Sequence, residues 1–382
     1  MNRGAVAEVN LSAIAHNLGI VRKIVRNLPV IAVVKADAYG HGAEEVSVKL
    51  AGEGVSHLAV AYISEAKKLR DAGIKIPLIV LFDHGYSEDF FHYDLIPVVY
   101  DRVTARSLSK AATKKKAPKK IHVKIDTGMG RLGFSGKGVL DELIKISMMP
   151  GIELSGLLSH FSEADLADRS YALLQIERFK AIREAISKRT GRKIFSHFAN
   201  SAAVLSLHDA HLDAVRPGLM LYGYSPVSRD YNLDPEGLED SCRAGFEGAE
   251  LIPAMTIKSK VLCVRNLPSG TPVSYGRTFI TKRKSRIGVV PIGYADGYSR
   301  RFSNNAHMLV QGEKAPVVGR VCMDLTMIDL TEISNAREDD EVVILGRQGN
   351  KSITADDLAR KADTISYEIL TSLGGKSVKA YV

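Results

Sequence analysis

The feature that most constrains the fold is an alternation of short apolar runs and amphipathic segments through the first 220 residues. Runs rich in β-branched residues occur at 30–34, 57–61, 77–82, 95–99, 121–125, 152–159, 194–198 and 214–222. Most of the segments between them are apolar on one side and end at glycine or basic residues, as helices do. Eight strand–helix units favour a closed (β/α)8 barrel of the TIM type over an open doubly wound sheet.

The pattern changes after about residue 225. The stretch 226–247 is polar and rich in Gly and Pro, which predicts a long connection to which we assign no function. Beyond it, short strand-like stretches alternate with turn residues, and one helical segment occupies 355–364. We therefore predict an α/β protein with a barrel domain over residues 1–240 and a C-terminal, mainly β domain over 241–382.

The net charge of +9 raises the question of a nucleic-acid partner. The basic runs at 114–116, 119–120 and 282–284 are short and far apart, and no aromatic residues interleave with them. Base-stacking surfaces combine both features, so we interpret these runs as solvated faces and predict no nucleic-acid binding.

Cysteine content and apolar patterning bear on the compartment. Cys242, Cys263 and Cys322 cannot all pair and have no metal-ligand spacing, which predicts reduced thiols and no bound metal. Glu8 and Asn10 interrupt any apolar segment near the N-terminus, so a signal peptide is not expected. No apolar run reaches the roughly 18–20 residues that span a bilayer. We expect a cytoplasmic protein without a membrane partner.

Polar residues follow several predicted barrel strands, where active sites of this fold lie. Each fits a strand end or a helix cap when taken alone, but together they predict a site on one rim. They are Lys35, Lys124, Asp126, Arg131, His160, Asn200, Ser201, Arg216 and Gly218.

Lys35 is the sharpest single candidate. It emerges from the apolar run IAVV, and burial there lowers the pKa of an amine. A neutral amine is what a Schiff base with a carbonyl compound requires. A lone lysine at a strand end is more often structural, so this interpretation depends on the other segments of the chain.

Nine motifs are distributed along the chain. They are AVVKADAYGHG (32–42), HVKIDTGMGRLG (122–133), SHF (159–161), HFANSAA (197–203), RPGLMLYG (216–223), VSYGRTF (273–279), GYADGY (293–298), GRVCMD (319–324) and SYEIL (366–370). In this order they resemble segments of the alanine racemases, which are pyridoxal-phosphate (PLP) enzymes of the barrel fold type. The resemblance extends over nearly the whole chain.

The resemblance implies two proton-transferring residues. Lys35 would carry PLP and act on one face of the substrate Cα, while Tyr275 would act on the opposite face. A phenol with a pKa near 10 is a poor base, so it needs cationic neighbours. The resemblance supplies Arg131 and His160 in that vicinity.

The resemblance also places Arg216 against the pyridine nitrogen of PLP. An arginine cannot accept a proton there, because its pKa lies above about 12. The ring is then a weaker electron sink than it would be beside a carboxylate, which suits racemisation better than decarboxylation or transamination.

The remaining implied roles concern the cofactor, the substrate and a partner subunit. Tyr39, Ser201, Tyr367 and backbone amides around Gly218 would hold the phosphate, and His160 and Asn200 would also contact PLP. Arg131 would bind the substrate carboxylate, and Lys124 matches a lysine that is often carbamylated. The partner subunit of a homodimer with shared active sites would contribute Tyr275, Tyr294, Met323 and Asp324.

We therefore predict racemisation of L- and D-alanine, which supplies D-alanine for peptidoglycan. A broader-specificity or serine racemase is an alternative, although Tyr39, Tyr294 and Met323 favour a small substrate. A non-catalytic PLP carrier is an alternative from another class, but such a protein should lack the second domain and a counterpart of Tyr275.

Overall fold

The computed structural model describes residues 4–83, 85, 87–226 and 250–382. The predicted domain boundary at 240/241, Cys242 and residues 227–247 of the polar stretch lie outside these ranges. Cys263 and Cys322 are free thiols.

The helices and strands are numbered along the chain. The strands are β1 (Val6–Val9), β2 (Ile31–Val33), β3 (His57–Val60), β4 (Leu78–Val80), β5 (Leu95–Val99), β6 (Lys119–Lys124), β7 (Ile152–Leu158), β8 (Phe195–His197), β9 (Met255–Lys260), β10 (Cys263–Leu267), β11 (Pro272–Val273), β12 (Phe279–Ile280), β13 (Ser285–Val290), β14 (His307–Val310), β15 (Glu313–Pro316), β16 (Thr326–Asp329), β17 (Glu341–Gln348), β18 (Lys351–Ile353) and β19 (Val378–Tyr381). The helices are α1 (Leu11–Ile24), α2 (Lys35–Tyr39), α3 (Ala43–Gly52), α4 (Ile63–Asp71), α5 (Ser87–His92), α6 (Arg102–Lys115), α7 (Val139–Ser147), α8 (Ser170–Thr190), α9 (Ser201–Ser206), α10 (Ala355–Ala362) and α11 (Ser366–Lys376).

The chain divides into two compact units. The barrel unit comprises Ile14–Lys35 and the described residues of Glu44–Ile252. The β unit comprises the described residues of Met1–Ala13, together with Ala36–Ala43 and Pro253–Val382. The segment that follows Lys35 thus packs with the C-terminal part of the chain.

The barrel unit contains seven parallel strands, β2 to β8, whose order in the sheet is their order in the chain. They coincide within a few residues with the first seven predicted runs. Strands β2 and β4 are buried throughout, as expected of strands covered on both faces. The intervening helices have the expected signals. For example, the Asp101 side chain accepts a hydrogen bond from the N–H of Thr104 and caps α6.

The eighth position of the barrel is filled by a very short segment. Parallel bridges join Ala214 to His197 at the end of β8, and Val215 to Val30 beside β2, which closes the barrel. The predicted strand over 214–222 is wrong in its extent, because a 3₁₀ helix occupies Leu219–Tyr222. The last hydrogen bond to β2 runs from the N–H of Val33 to the Pro217 carbonyl at 3.0 Å, just before this helix. The barrel fold itself is confirmed.

The β unit is mainly strands, as predicted. Its largest sheet has the order β15-β14-β17-β9-β1-β19, with β18 paired to β17. Strands β10, β13 and β16 form a second sheet, and β11 pairs with β12. The predicted helix at 355–364 is α10, which begins at a capping box between Thr354 and Asp357. Among the described residues, no helix is both long enough and apolar enough to cross a membrane.

Candidate active site

Three cationic side chains gather around one aromatic ring at the C-terminal ends of the barrel strands. Lys35 Nζ lies 5.5 Å, Lys124 Nζ 5.6 Å and Arg131 Cζ 5.8 Å from the centroid of the Phe82 ring. Each contact is weakly favourable, but the cations repel one another at close range. Phe82, which follows β4, was not among the residues predicted from the sequence.

This crowding shows in the pKa values. Burial, followed by the charge of Arg131, lowers the pKa of Lys35, while Glu65 opposes the shift. The same two causes, with smaller effects from Arg216 and Lys35, lower the pKa of Lys124 to about 8. A larger fraction of both amines is therefore neutral than for an exposed lysine.

His160 responds to the same charges. Burial and then Arg216 lower its pKa well below the ordinary range, so its imidazole is neutral. Among the groups that shift the pKa values of Lys35, Lys124 and His160, only Glu65 and Asp126 are acidic. A rim with this charge excess suits an anionic ligand.

The backbone at Arg131 is fixed by a carboxylate. Asp126 Oδ1 accepts hydrogen bonds from the N–H groups of Gly128, Met129 and Gly130, and Oδ2 accepts one from Arg131. Burial raises the pKa of Asp126, but the four donors together lower it by more, so the net shift is downward. Asp126 thus orders the loop that carries Arg131.

Arg216 is buried and almost fully hydrogen-bonded. Its Nη1 donates to the carbonyl oxygen of His197 at 2.6 Å and to His197 Nδ1 at 2.8 Å. Its Nη2 donates to the carbonyl oxygens of Ser159 at 2.7 Å and Phe198 at 3.2 Å. Four of the five guanidinium N–H groups are then used, and Nε–H has no acceptor among the described residues. Burial lowers the pKa of Arg216 to about 10, so the group stays charged at neutral pH.

Two backbone donors converge on Ser201. Its Oγ accepts from the N–H of Gly218 at 2.8 Å and of Met220 at 3.3 Å. Asn200 Oδ1 accepts from the N–H of Ala203 and caps α9. The Ser201 hydroxyl, which accepts from both N–H groups, has its own proton to donate to a phosphate oxygen. The cap uses Asn200 Oδ1 and leaves the two Nδ2–H donors for another contact.

Two buried histidines had no role in the sequence predictions. His122 Nδ1 lies 2.9 Å from His197 Nε2, and His197 contacts Arg216. Both residues lie within segments that resemble the family, but neither motif indicates a function. A histidine inside a buried apolar strand was the available signal.

In the β unit, Tyr39 lies in a left-handed turn. Ala36, Asp37, Ala38 and Tyr39 have φ angles between 52° and 56°, a conformation that costs roughly 1–2 kcal/mol for each non-glycine residue. Such strain persists only where surrounding contacts fix the backbone, and it often lies at functional sites.

Contacts on both sides of Asp37 hold this turn. Asp37 Oδ1 accepts from the N–H of Ala43 at 2.8 Å, and Oδ2 lies 2.8 Å from Lys379 Nζ in β19. Gly40, at φ 85°, packs so closely on the Leu370 carbonyl that a Cβ would lie 2.5 Å from its oxygen. The backbone immediately after Lys35 is therefore anchored to α11 and β19.

Tyr39 also contacts Tyr367 of α11, with ring centroids 5.8 Å apart. Burial, and then Tyr367, raise the pKa of Tyr39, so its hydroxyl remains protonated and can donate a hydrogen bond. The sequence predicted both tyrosines as ligands of one phosphate, and the β unit brings them together.

The other predicted residues of the β unit are exposed. Tyr275 is 70 %, Tyr294 45 % and Met323 53 % exposed, and Asp324 is exposed as well. The N–H of Tyr294 donates to the Cys322 carbonyl, which places Tyr294 beside the 322–324 segment. Because Tyr294 and Met323 adjoin one another, their exposed side chains can contribute to one interaction surface.

Comparison with known families decides the relationship. The family model described as "Alanine racemase, N-terminal domain" matches residues 9–226, and "Alanine racemase, C-terminal domain" matches residues 254–381. The chain belongs to the alanine racemase family. It is therefore an amino-acid racemase, an isomerase, and the family predicted from the sequence is confirmed.

Individual relatives agree with this assignment. The alanine racemase of Thermodesulfovibrio yellowstonii is 46 % identical, over 100 % of this chain and 99 % of the relative. The Clostridium difficile alanine racemase structure has a TM-score of 0.90 and 33 % identity, over 100 % of this chain and 96 % of that one. The Bartonella henselae enzyme, described with covalently bound pyridoxal phosphate, has a TM-score of 0.85 and 29 % identity, with 99 % of each chain covered.

Proposed function

We propose that this alanine racemase interconverts L- and D-alanine with PLP attached to Lys35. The observation that supports it most is the hydrogen bonding of Arg216, which leaves a single N–H, on Nε, for a ligand. Because an arginine keeps its proton, this N–H can donate to the ring nitrogen of PLP without protonating it. The cofactor then remains a weak electron sink, as racemisation requires.

The residues present fit PLP. The backbone donors that converge at Ser201 suit the phosphate of the cofactor, and the cations around Phe82 suit the carboxylate of a bound amino acid. Ser201, the amide of Gly218, Tyr39 and Tyr367 would hold the phosphate. His160 and Asn200 would lie beside the cofactor, and Arg216 Nε–H would serve the ring nitrogen. When bound, PLP supplies the electron sink that makes the Cα–H of an amino acid acidic.

Two residues would move the proton at Cα. The lowered pKa of Lys35 makes its Nζ a competent base on one face. Tyr275 would take or return a proton at its Oη on the other face. With a group on each face, neither has to cross the plane of the substrate. Arg131 would hold the substrate carboxylate, because a guanidinium pairs with both of its oxygens.

Lys124 would be carbamylated. Its pKa of about 8 leaves a substantial neutral fraction. The Nζ lone pair can then form an N–C bond with carbon dioxide and release one proton. The product is an anion among cations, where it would position Arg131.

We further propose a homodimer in which the partner subunit supplies Tyr275, Tyr294, Met323 and Asp324. Their exposure in the single chain supports this arrangement, because in an assembled site such side chains are expected to be covered. The D-alanine formed would serve peptidoglycan synthesis in the cytoplasm.

The first experiment compares alanine, serine and lysine as substrates in deuterium oxide. Tyr39, Tyr294 and Met323 favour a small side chain, so alanine should turn over fastest and acquire deuterium at Cα. Faster turnover of serine or lysine would overturn the alanine assignment, and absence of exchange with all three would overturn the racemase proposal.

A second experiment tests the two-residue mechanism. Tyr275→Phe removes one proton carrier and keeps the ring, so kcat should fall by about 10²–10⁴-fold. Exchange at Cα should fall much further for one enantiomer than for the other. Equal losses for both enantiomers would contradict two opposed groups, and an unchanged kcat would exclude Tyr275.

A further inference from the structure

A hydrogen-bonded chain inside the barrel joins Arg216 to two histidines. Arg216 Nη1 lies 2.8 Å from His197 Nδ1, and His197 Nε2 lies 2.9 Å from His122 Nδ1. The two histidines are at most 2 % exposed and Arg216 is 5 % exposed. Water therefore has little access, and each contact must satisfy its own donor and acceptor requirements.

The arginine fixes the proton positions of the first histidine. A guanidinium has five donors and no acceptor, so His197 Nδ1 must present a lone pair to Nη1. A proton on Nδ1 would set two donors against each other at 2.8 Å. His197 is therefore neutral and carries its proton on Nε2.

The same reasoning extends to the second histidine. Since His197 Nε2 carries a proton, it donates to His122 Nδ1, which must present a lone pair. His122 is then also neutral with its proton on Nε2. All three groups thus share one direction of donation, from Arg216 to His197 to His122.

The surroundings agree with this order. Burial, then Arg216, lower the pKa of His197 well below the usual range, and burial, then His57, lower that of His122 to about 3. Space for the second ring is provided by Gly156 in β7, where a Cβ would lie 2.4–2.6 Å from three ring atoms of His122.

We infer that His197 and His122 are positioning residues that lock the orientation of the Arg216 guanidinium through this ordered chain. The lock keeps the Nη groups committed to the barrel and leaves Nε–H as the donor for a ligand. Both histidines are neutral, so neither offers an acidic proton to that ligand. This inference rests on the proposed function, since it assigns the ligand contact of Arg216 to the ring nitrogen of PLP.

The tautomers can be tested on the intact wild-type protein. Protein labelled with ¹⁵N-histidine, with and without PLP, is examined by two-bond ¹H–¹⁵N correlation between pH 7 and 9. His197→Asn and His122→Asn spectra identify the two signals. Both residues should show unprotonated Nδ1 and protonated Nε2 throughout. A proton on Nδ1 of either residue would overturn the proposed order of donation from Arg216 to His197 to His122.

A matched pair of variants tests its consequence. Asparagine and leucine have similar shapes, but only asparagine can accept a hydrogen bond near the Nδ1 position. Transamination is the competing reaction, in which the amino group of alanine passes to PLP and pyruvate is released. His122→Leu should raise the pyruvate released per racemisation event about tenfold or more and lower kcat/KM by 10-fold to 100-fold, since small misplacements cost this much. His122→Asn should stay within about threefold of wild type in the pyruvate ratio.

Thermal unfolding of both variants shows whether each is folded, and His92→Leu, at the exposed last residue of α5, serves as the surface control. Equal pyruvate ratios in folded His122→Leu and His122→Asn would overturn the positioning role. If one of them fails to fold, the ¹⁵N spectra of wild type still test the hydrogen-bonded order, because His197→Asn and the folded His122 variant identify the two signals. A wild type that shows the predicted tautomers but no racemisation would refute the proposed function alone.

Discussion

Lys35 and Lys124 place their Nζ atoms at nearly equal distances, 5.5 and 5.6 Å, from the centroid of the Phe82 ring. Lys124 is buried and Lys35 is partly exposed, and the charge of Lys35 helps to lower the pKa of Lys124. Two adjacent amines with lowered pKa values distinguish this rim from a row of solvated lysines. The lowered pKa values also make the stability of the protein depend on pH.

The first prediction concerns Lys124 and stability. Its folded pKa of about 8 lies below the ordinary value near 10.4, so between these values the unfolded chain binds more protons. The free energy of unfolding should therefore rise with pH across this window, by up to about 3 kcal/mol from Lys124. The free energies of unfolding of wild type and Lys124→Met are measured with denaturant in CO₂-free buffer. As the pH rises through this window, the value for wild type should increase relative to that for Lys124→Met. A flat or shrinking difference would exclude the lowered pKa.

The second prediction concerns carbamylation of the same residue. Protein equilibrated with ¹³C-bicarbonate should give a carbamate signal in the ¹³C spectrum. The signal should increase from pH 7 to 9 as the Lys124 amine loses its proton. Lys124→Arg should abolish it, whereas Lys137→Arg, an exposed lysine on the following loop, should not. A signal that survives Lys124→Arg would assign the modification elsewhere.

The third prediction compares two glycines. In Gly156→Ala the new methyl group meets the His122 ring, so unfolding should cost about 1–3 kcal/mol less free energy than in wild type. In Gly19→Ala, within α1, a Cβ has no neighbour within 4 Å, and the variant should gain up to about 1 kcal/mol from helix propensity. Chemical denaturation of both measures the contrast, and similar stabilities would show that the His122 ring adapts easily.

The fourth prediction concerns the left-handed turn after Lys35. Asp37→Asn keeps an acceptor for the N–H of Ala43 and tolerates positive φ, so losing the half-exposed ion pair with Lys379 should cost less than about 1 kcal/mol. Asp37→Ala loses both contacts and should cost about 1–2 kcal/mol. It should also lower kcat/KM more than Asp37→Asn does. Both variants are compared by thermal unfolding and alanine racemisation, and identical behaviour would remove Asp37 as the anchor.

Periodicity predicted the barrel well because its strands are buried on both faces and therefore form continuous apolar runs. The seven runs before residue 200 correspond to β2–β8. Lys35, Lys124 and Arg131 lie together at the C-terminal ends of the barrel strands, where the site was predicted. Strands β1 and β19 were not predicted. Each has four residues and pairs with segments far away in sequence, so no local pattern indicates it.

The site residues were predicted in a different way. Strand ends indicated Lys35, Lys124 and Arg216, but the roles of Tyr275 and Met323 came from the family resemblance. Neither source indicated His122, His197 or Phe82, because their function depends on neighbours that only the closed barrel brings together. The left-handed turn at 36–39 was equally hidden, since alanine is not typical of that conformation.

The most direct test of the account is reduction of the PLP-loaded protein with borohydride, followed by peptide mapping. Reduction fixes the cofactor to the lysine that holds it. We predict label on the peptide that contains Lys35 and none on the peptide that contains Lys124. Label on any lysine other than Lys35 would contradict the central claim.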